Sequence, residues 1–336
     1  MSEQTVGDLG EFGLIERIRA RLNGFAEHDD LIVGPGDDAA VWRAANNYTI
    51  ATTDTMVEGV HFLTEADPRD VGWKALASNV SDIAAMGGKP TFALVTLCLP
   101  PSTPVAWVER LYEGMMAFSD ERDLTVAGGD IVASPVVTVT IAFAGTVEVD
   151  EDSRPLLLRR DRAHAGDAIA VCGALGGSAG GLRVLREGAP IAGDARELVE
   201  RHLRPQPAIA WGQAAAQAGV RCAIDVSNGL VQDIGHICEA SGCGAVVRFD
   251  DIPVDPALLA VLPDDARMLA ATGGEDYELV LVAPMPAIEQ VARTIRQVTL
   301  IGEMVEDPEQ RVRVADRDGN EVRIEQRGWD HLRGRV

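Results

Sequence analysis

The sequence predicts an α/β protein of two domains, and three observations carry that prediction. Apolar strand-like runs alternate with helix-period segments from Phe12 to Val147, and alternate again beyond Asp167. A charged, proline-containing stretch, EVDEDSRPLLLRRDRAHAGD (148–167), separates the two regions. The length, 336 residues, exceeds what one core serves, since cores stop growing at roughly 250–300 residues. The boundary is therefore placed between 148 and 149, giving domains 1–148 and 149–336.

In the first domain, Phe12, Leu14, Ile15, Ile18 and Leu22 have helical period. LIVGPGDD reads as a strand ending in a Gly/Pro turn, and YTIATTD as a strand ending at Asp54. VGWKALASNVSDIAAMGG is a helix with Leu76, Val80 and Ile83 on one stripe, stopped by Gly87-Gly88. TFALVTLCLP is a buried strand halted by prolines. AWVERLYEGMMAFSDERD is a helix, LTVAGGD a strand, and PVVTVTIAFAGTV a long strand.

In the second domain, AIAVCG is a strand, followed by a glycine-rich turn and a helix around Leu182–Leu185. PAIAWGQAAAQAG is a helix and RCAID a strand. Asn228-Gly229 is a strong hairpin signal, but Leu230, Val231, Ile234, Ile237 and Cys238 continue with helical period, so a helix follows, with Ser227 or Asn228 as N-cap. Near the end, Asp316-Arg317-Asp318-Gly319-Asn320 lacks the glycine position of a calcium loop and reads as a hairpin turn between alternating strands.

Hydrophobic residues are 46% and charged residues 24%, ordinary for a globular chain. The net charge of −22 excludes nucleic-acid binding through a general positive field. Phosphates would have to be held locally, by a few Arg or Lys residues or by bound cations. No apolar run approaches the ~18 residues of a membrane span, and the polar N-terminus has no secretory pattern. Five cysteines without a C-x-x-C, mostly in apolar runs, read as reduced core thiols of a cytoplasmic protein. His236, Cys238 and Cys243 match no zinc spacing and are assigned to the core.

Chemistry concentrates where Asp stands among small residues: Gly36-Asp37-Asp38-Ala39, Thr52-Thr53-Asp54-Thr55, Ser81-Asp82, Gly128-Gly129-Asp130 and Asp225-Val226-Ser227-Asn228. One such Asp is ordinarily a cap or an Asx-turn. Five of them, three directly after apolar strands, predict a carboxylate cluster beyond strand ends that suits hard cations such as Mg²⁺. No P-loop and no protein-kinase signature is present. Gly34-Pro35-Gly36-Asp37-Asp38-Ala39 half matches a dinucleotide fingerprint. It is rejected, because two aspartates would face the pyrophosphate and too few residues follow for a crossover helix. The turn holding Gly173, Gly176, Gly177, Gly180 and Gly181 admits two readings, approach to a phosphate or close helix–strand packing.

In order along the chain, GEFGLIERI, GPGDDAAV, TTDTMVEGVHF, KALASNVSDIAAMGG, AGGD, RRDRAHAGD, RHLRPQP, AIDVSNGLVQDIGHI and TGGEDYEL resemble the thiamine-monophosphate kinases of the aminoimidazole-ribonucleotide-synthetase-like superfamily, from Gly10 to about Trp329. The resemblance implies phosphoryl transfer from ATP to thiamine monophosphate with several Mg²⁺ ions. It also implies a homodimer formed by pairing of N-terminal sheets, and a C-terminal α/β sandwich domain closing over the nucleotide. By position it implies Asp38, Thr52, Thr53, Asp54, Asp82, Asp130 and Asp225 as metal ligands. Tyr112, Gly129, Asp130, Arg160 and Ser227 would contact ATP, and His61, Glu275 and Trp329 the thiamine phosphate. Asp38 aligns better than Asp37. The family pattern Asp-x-Ser-Asp-Gly is broken at Asn228, which keeps an oxygen donor for the metal set but loses a charge. No general base is expected, because a phosphate nucleophile is already anionic. A metal-dependent phosphohydrolase and a non-catalytic nucleotide-binding module are the competing readings.

Overall fold

The alternating periodicities resolve into two six-stranded sheets with helices against them. The computed structural model describes residues 5–22, 29–45, 47–295, 297–332 and 334–335. The first part comprises α1 (Val6–Leu22), β1 (Leu31–Val33), β2 (Ala40–Ala44), β3 (Asn47–Val57), α2 (Pro68–Ala85), β4 (Lys89–Leu99), α3 (Val105–Asp120), β5 (Thr125–Ala133) and β6 (Thr138–Val147). Its sheet runs β1-β2-β3-β6-β4-β5, antiparallel except for the β4–β5 pair.

The second part comprises β7 (Ala168–Cys172), α4 (Gly177–Glu187), α5 (Asp194–Leu203), α6 (Ile209–Gln217), β8 (Cys222–Asp225), α7 (Leu230–Ser241), β9 (Gly244–Arg248), α8 (Pro256–Val261), α9 (Ala266–Thr272), β10 (Leu279–Ala283), α10 (Met285–Thr294), β11 (Val298–Val305) and β12 (Val312–Ala315). A short β13 (Trp329–Asp330) pairs with β14 (Gly334–Arg335). The sheet order is β12-β9-β11-β7-β10-β8. Its central strands are apolar along their whole length because both faces are covered: α7 and α9 lie on one side, α6 and α10 on the other.

Helix α2 joins the two domains. Asp67 caps it, accepting from Arg69 N at 2.9 Å, and Pro68 takes the first turn, where a missing N–H costs nothing. Nearly every residue from Pro68 to Ala85 is buried, so the helix is enclosed on all sides rather than amphipathic to water. Glycines make this enclosure possible. A Cβ at Gly72 would collide with Leu111 O, one at Gly114 with Arg69 O, and one at Gly212 with Ala84 O. Backbone therefore meets backbone where α3 and α6 cross α2.

Several expectations are refined. Strands β3 and β5 do not stop at Asp54 and Asp130 but run past them to Val57 and Ala133. β4 is buried on one face only, since Phe92 and Leu94 are 56% and 54% exposed while Ala93, Val95 and Leu97 point inward. The helices cover a single face of that sheet. The Asp316 carboxylate closes the expected turn by accepting from Asp318 N and Asn320 N, but the returning arm makes only a bridge at Glu321 rather than a full strand. All five cysteines are free thiols.

The α2–α3 crossing gives a direct test. Gly114→Val should lower the free energy of unfolding in urea by about 3 kcal/mol or more, or abolish folding, because the displaced atoms are backbone. Wild-type stability in that variant would refute the close crossing.

Candidate active site

The site begins where β3 loses a neighbour. β2 ends at Ala40 opposite Ala51, so from Thr52 onward one edge of β3 is open. Helix α2 fills that edge: Asn79 Oδ1 accepts the Asp54 N–H at 3.0 Å, and Thr52 Oγ1 donates to Asp82 Oδ2 at 2.6 Å. Asp38 arrives from the turn before β2, and Asp225 from the end of β8 in the other domain. Ser81 Oγ holds Asp225 Oδ2 at 2.5 Å, while Asp225 Oδ1 is buried with no hydrogen-bond partner. Asp38, Asp82 and Asp225 each bring a carboxylate oxygen within 4.8 Å of the others.

Such crowding is visible in the titration of these groups. Burial pushes Asp82 well up, and Asp54, Asp225 and Asp38 push it further. Burial likewise raises Asp225, with Asp38 the next cause, and raises Asp54. Arg160 is the nearby cation. It pairs with Asp38 through Nε at 3.3 Å and through a close Nη2 contact, and its backbone N donates to Asp37 at 3.1 Å. Burial still lifts Asp37 to about 6. The donor set of hard oxygens, one of them buried without a partner, fits Mg²⁺.

Two loops of the C-terminal domain close over this cluster. Glu275 N donates to Ser227 O at 2.9 Å, and Tyr277 N to Val226 O at 3.0 Å. A Cβ at Gly274 would collide with Ser227 O, so TGGEDYEL needs glycine there. Glu275 and Tyr277 sit at φ 64° and 55°, conformations that non-glycine residues rarely hold. Neither Ser227 nor Asn228 caps α7. The N-cap is Gly229, and the Asp233 carboxylate reaches back to Gly229 N at 2.9 Å and Asn228 N at 3.2 Å. The glycine-rich turn before α4 resolves in favour of packing. Asp276 already accepts from Gly176 N and Ser178 N, at 2.6 and 3.0 Å, and Cβ atoms at Gly176 and Gly180 would strike Leu258.

Between the domains lies a cleft of roughly 600 Å³. Asp54, Asp82, Ser227, Asn228, His61, Glu275 and Trp329 all line it. His61 Nδ1 accepts the Val57 N–H at 3.0 Å, and burial holds its pKa down, so the ring is neutral with its proton on Nε2. His331 stacks on His61 with ring centroids 4.8 Å apart, and its Nδ1 accepts from Trp329 Nε1 at 3.1 Å. The C-terminal segment is anchored across the molecule, since Glu11 N donates to Asp330 and His331 N to Glu11.

Residues 36–147 match the AIR synthase related protein N-terminal domain, and residues 164–315 the C-terminal domain of the same proteins. The thiamine-monophosphate kinase of Salmonella typhimurium is 38% identical over 331 residues, 96% of this chain and 98% of that one. This chain belongs to the thiamine-monophosphate kinase family. Among solved members, AaThiL complexed with AMPPCP and TMP is 32% identical, with TM-score 0.86 over 98% of this chain and 100% of that one. The thiamine-monophosphate kinase of Stenotrophomonas maltophilia K279a is 38% identical, with TM-score 0.74 over 92% and 96%.

Not every residue that the family resemblance implied reaches the cleft. Thr53 alternates away from Thr52 and Asp54, and its hydroxyl donates to Ile141 O at 3.0 Å. Tyr112 is half-buried on α3 against the N-terminal core. Gly129 aligns with Asp54 only through Val95 and Ile141, three strand spacings or about 14 Å away. Asp130 beside it is exposed on the edge strand.

Other residues escaped sequence reasoning. Lys74 and Ser78 recur with the already expected Asp82 at i, i+4, i+8 and form with it a largely buried polar stripe on α2, hidden in the sequence because attention falls on the apolar stripe. Asp233, Asp276 and His202 lie inside quoted motifs, but nothing local reveals what they bond.

The titration shifts predict a linkage. Asp82 and Asp225 have folded-state values above the unfolded one, so the folded chain holds protons that the unfolded chain has released, and these groups lose stability as pH rises above about 4. A cation opposes this loss and competes with protons. The rise in Tm produced by millimolar Mg²⁺ over EDTA should therefore grow from pH 5 to pH 8. A Tm insensitive to Mg²⁺ at pH 8 would count against a cation site.

Proposed function

We propose that this chain transfers the γ-phosphoryl group of ATP to the phosphate of thiamine monophosphate, yielding thiamine diphosphate and ADP. The observation that carries the reading is the interdomain cleft joining the acidic cluster to His61, Glu275 and Trp329, in a member of a kinase family. The obstacle to the reaction is repulsion between two polyanions, not nucleophile activation. Magnesium, which Asp38, Asp54, Asp82 and Asp225 would hold, supplies charge neutralisation when bound. Ser227, which lines the cleft with Asp82, would offer its hydroxyl to ATP, and Arg160 would exchange Asp38 for a phosphate oxygen. His61 offers a neutral Nε2–H donor, and Trp329 an indole face for the thiazolium cation. Asn228 contributes an oxygen without charge, which weakens one cation position relative to the family aspartate.

The reading includes a homodimer. Strand β5 leaves Gly129 and Asp130 exposed beside Ile131, itself 66% exposed, and the open face of β4 adds Phe92 and Leu94. Since Tyr112, Gly129 and Asp130 lie outside their own cleft, sheet pairing would deliver them to the site of a second copy. Free thiols throughout support a cytoplasmic setting.

With ATP, Mg²⁺ and thiamine monophosphate, the purified protein should form thiamine diphosphate and ADP one for one. Free phosphate released regardless of thiamine monophosphate would indicate a hydrolase instead. Asp82→Asn should reduce transfer by about a thousandfold without lowering Tm, as removing a repelled buried charge does not cost stability. Asn228→Asp should tighten the apparent Mg²⁺ affinity, and no change would make the position unimportant. Inactive Asp82→Asn and Asp130→Ala chains, mixed and reassociated, should recover about a quarter of wild-type activity if sites are shared between copies. No recovery from an otherwise intact mixed dimer would place Asp130 outside the partner's site.

A further inference from the structure

Lys74 is among the largest fully buried side chains of the described residues, at 2% exposure. An ammonium in such a place is strongly disfavoured unless a carboxylate meets it. It extends from α2, in the N-terminal domain, to Glu275 of the C-terminal domain, with Nζ 2.8 Å from Oε1. The other oxygen of Glu275 faces His202 Nδ1 at 3.5 Å, and that nitrogen lies 3.0 Å from Ser178 Oγ. Burial, and next Lys74, hold His202 neutral down to about 3, so among the described residues Lys74 is the cation paired with this carboxylate.

These contacts have a consequence for the cleft. Glu275 is 27% exposed and is strained at φ 64°, with its backbone fixed by Ser227 O. Its side-chain direction is set by Lys74, and its charge is already balanced before any substrate enters. Lys74 itself lines a second cavity of roughly 360 Å³, behind His61, and does not line the main cleft.

Resting on the kinase reading above, we propose that Lys74 is a positioning residue for thiamine monophosphate: it holds the Glu275 carboxylate in place and ionised across the domain junction without touching substrate. The thiamine side of the site then depends on an ion pair buried between the domains, while the ATP side does not.

Kinetics of Lys74→Met, Glu275→Gln and the double variant, as full chains with Tm measured, test this. Wild-type turnover of thiamine monophosphate establishes the kinase reading independently. Given that, Lys74→Met should raise KM for thiamine monophosphate roughly ten- to a hundredfold, the loss of one charge-assisted hydrogen bond, with KM for ATP within about twofold. Since the pair acts as a unit, the double variant should be no worse in KM than Glu275→Gln and should regain Tm over Lys74→Met, because no unpaired buried charge remains. If Lys74→Met fails to fold, the double variant carries the test against Glu275→Gln: an equal KM for thiamine monophosphate supports the proposal, and a further rise overturns it. An unchanged KM for thiamine monophosphate in a folded variant, a KM for ATP that rises equally, or effects of the two substitutions that multiply would each overturn the proposal.

Discussion

Three carboxylates from two domains, forced within 4.8 Å of one another, are the constraint around which the rest is arranged. Burial disfavours their charged forms, and like charges at that separation repel as well; the upward shifts of Asp82 and Asp225 express both costs, burial first. Folding energy from elsewhere must therefore hold them together. Much of it comes from apolar burial on both sides of the junction, where the end of α2 packs against the α6 face of the second sheet. In the proposed function, a cluster that is unfavourable alone would become an affinity for cations, because an ion that relieves it would bind with the energy the fold has stored.

Helix α2 shows how one sequence serves two domains. Leu76, Val80 and Ile83 belong to the N-terminal core, while Ala85 belongs to the C-terminal one. Between these apolar contacts runs the polar stripe Lys74, Ser78, Asp82. Glycines on the neighbouring helices allow approach at backbone distance, so the stripe is fixed in position as rigidly as the core. Small residues thus fix the geometry of the cleft here as much as acidic ones do.

Much of this was legible in the sequence. Periodicity located α2, β6, β8 and α7, because each combines a clear repeat with a glycine, proline or aspartate at its limits. The acidic positions were legible because repeated Asp among small residues is costly without a purpose. What was not legible depends on long-range partners. Asp54 looked like a strand end, because nothing local shows that β6 pairs with β3 as far as Val57. The N-cap of α7 was misjudged because a buried Asp233 supplanted the usual Ser or Asn. The cleft position of Glu275 followed from the family pattern, but its partner Lys74 lies two hundred residues away in sequence, where periodicity has no reach.

The same acidic side chain is put to two opposite uses. Asp67, Asp233, Asp255 and Asp276 accept backbone N–H groups at helix starts or tight turns, and so are compensated by the chain itself. Asp276 shows that this compensation is partial: burial still lifts it to about 7 even with two such donors. Asp82 and Asp225 receive only hydroxyl donors, Thr52 and Ser81; a buried oxygen without a hydrogen bond remains on Asp225, as one does on Asp233 and Asp255. A hydroxyl orients a carboxylate without cancelling its charge, whereas a helix N-terminus offers a partial positive charge as well. The division is therefore functional. Carboxylates on helix ends are consumed in building the loops, and those given only hydroxyls are left for a proton or a cation to neutralise. A net charge of −22 obscures this distinction, which lies in the donors each side chain meets rather than in their number.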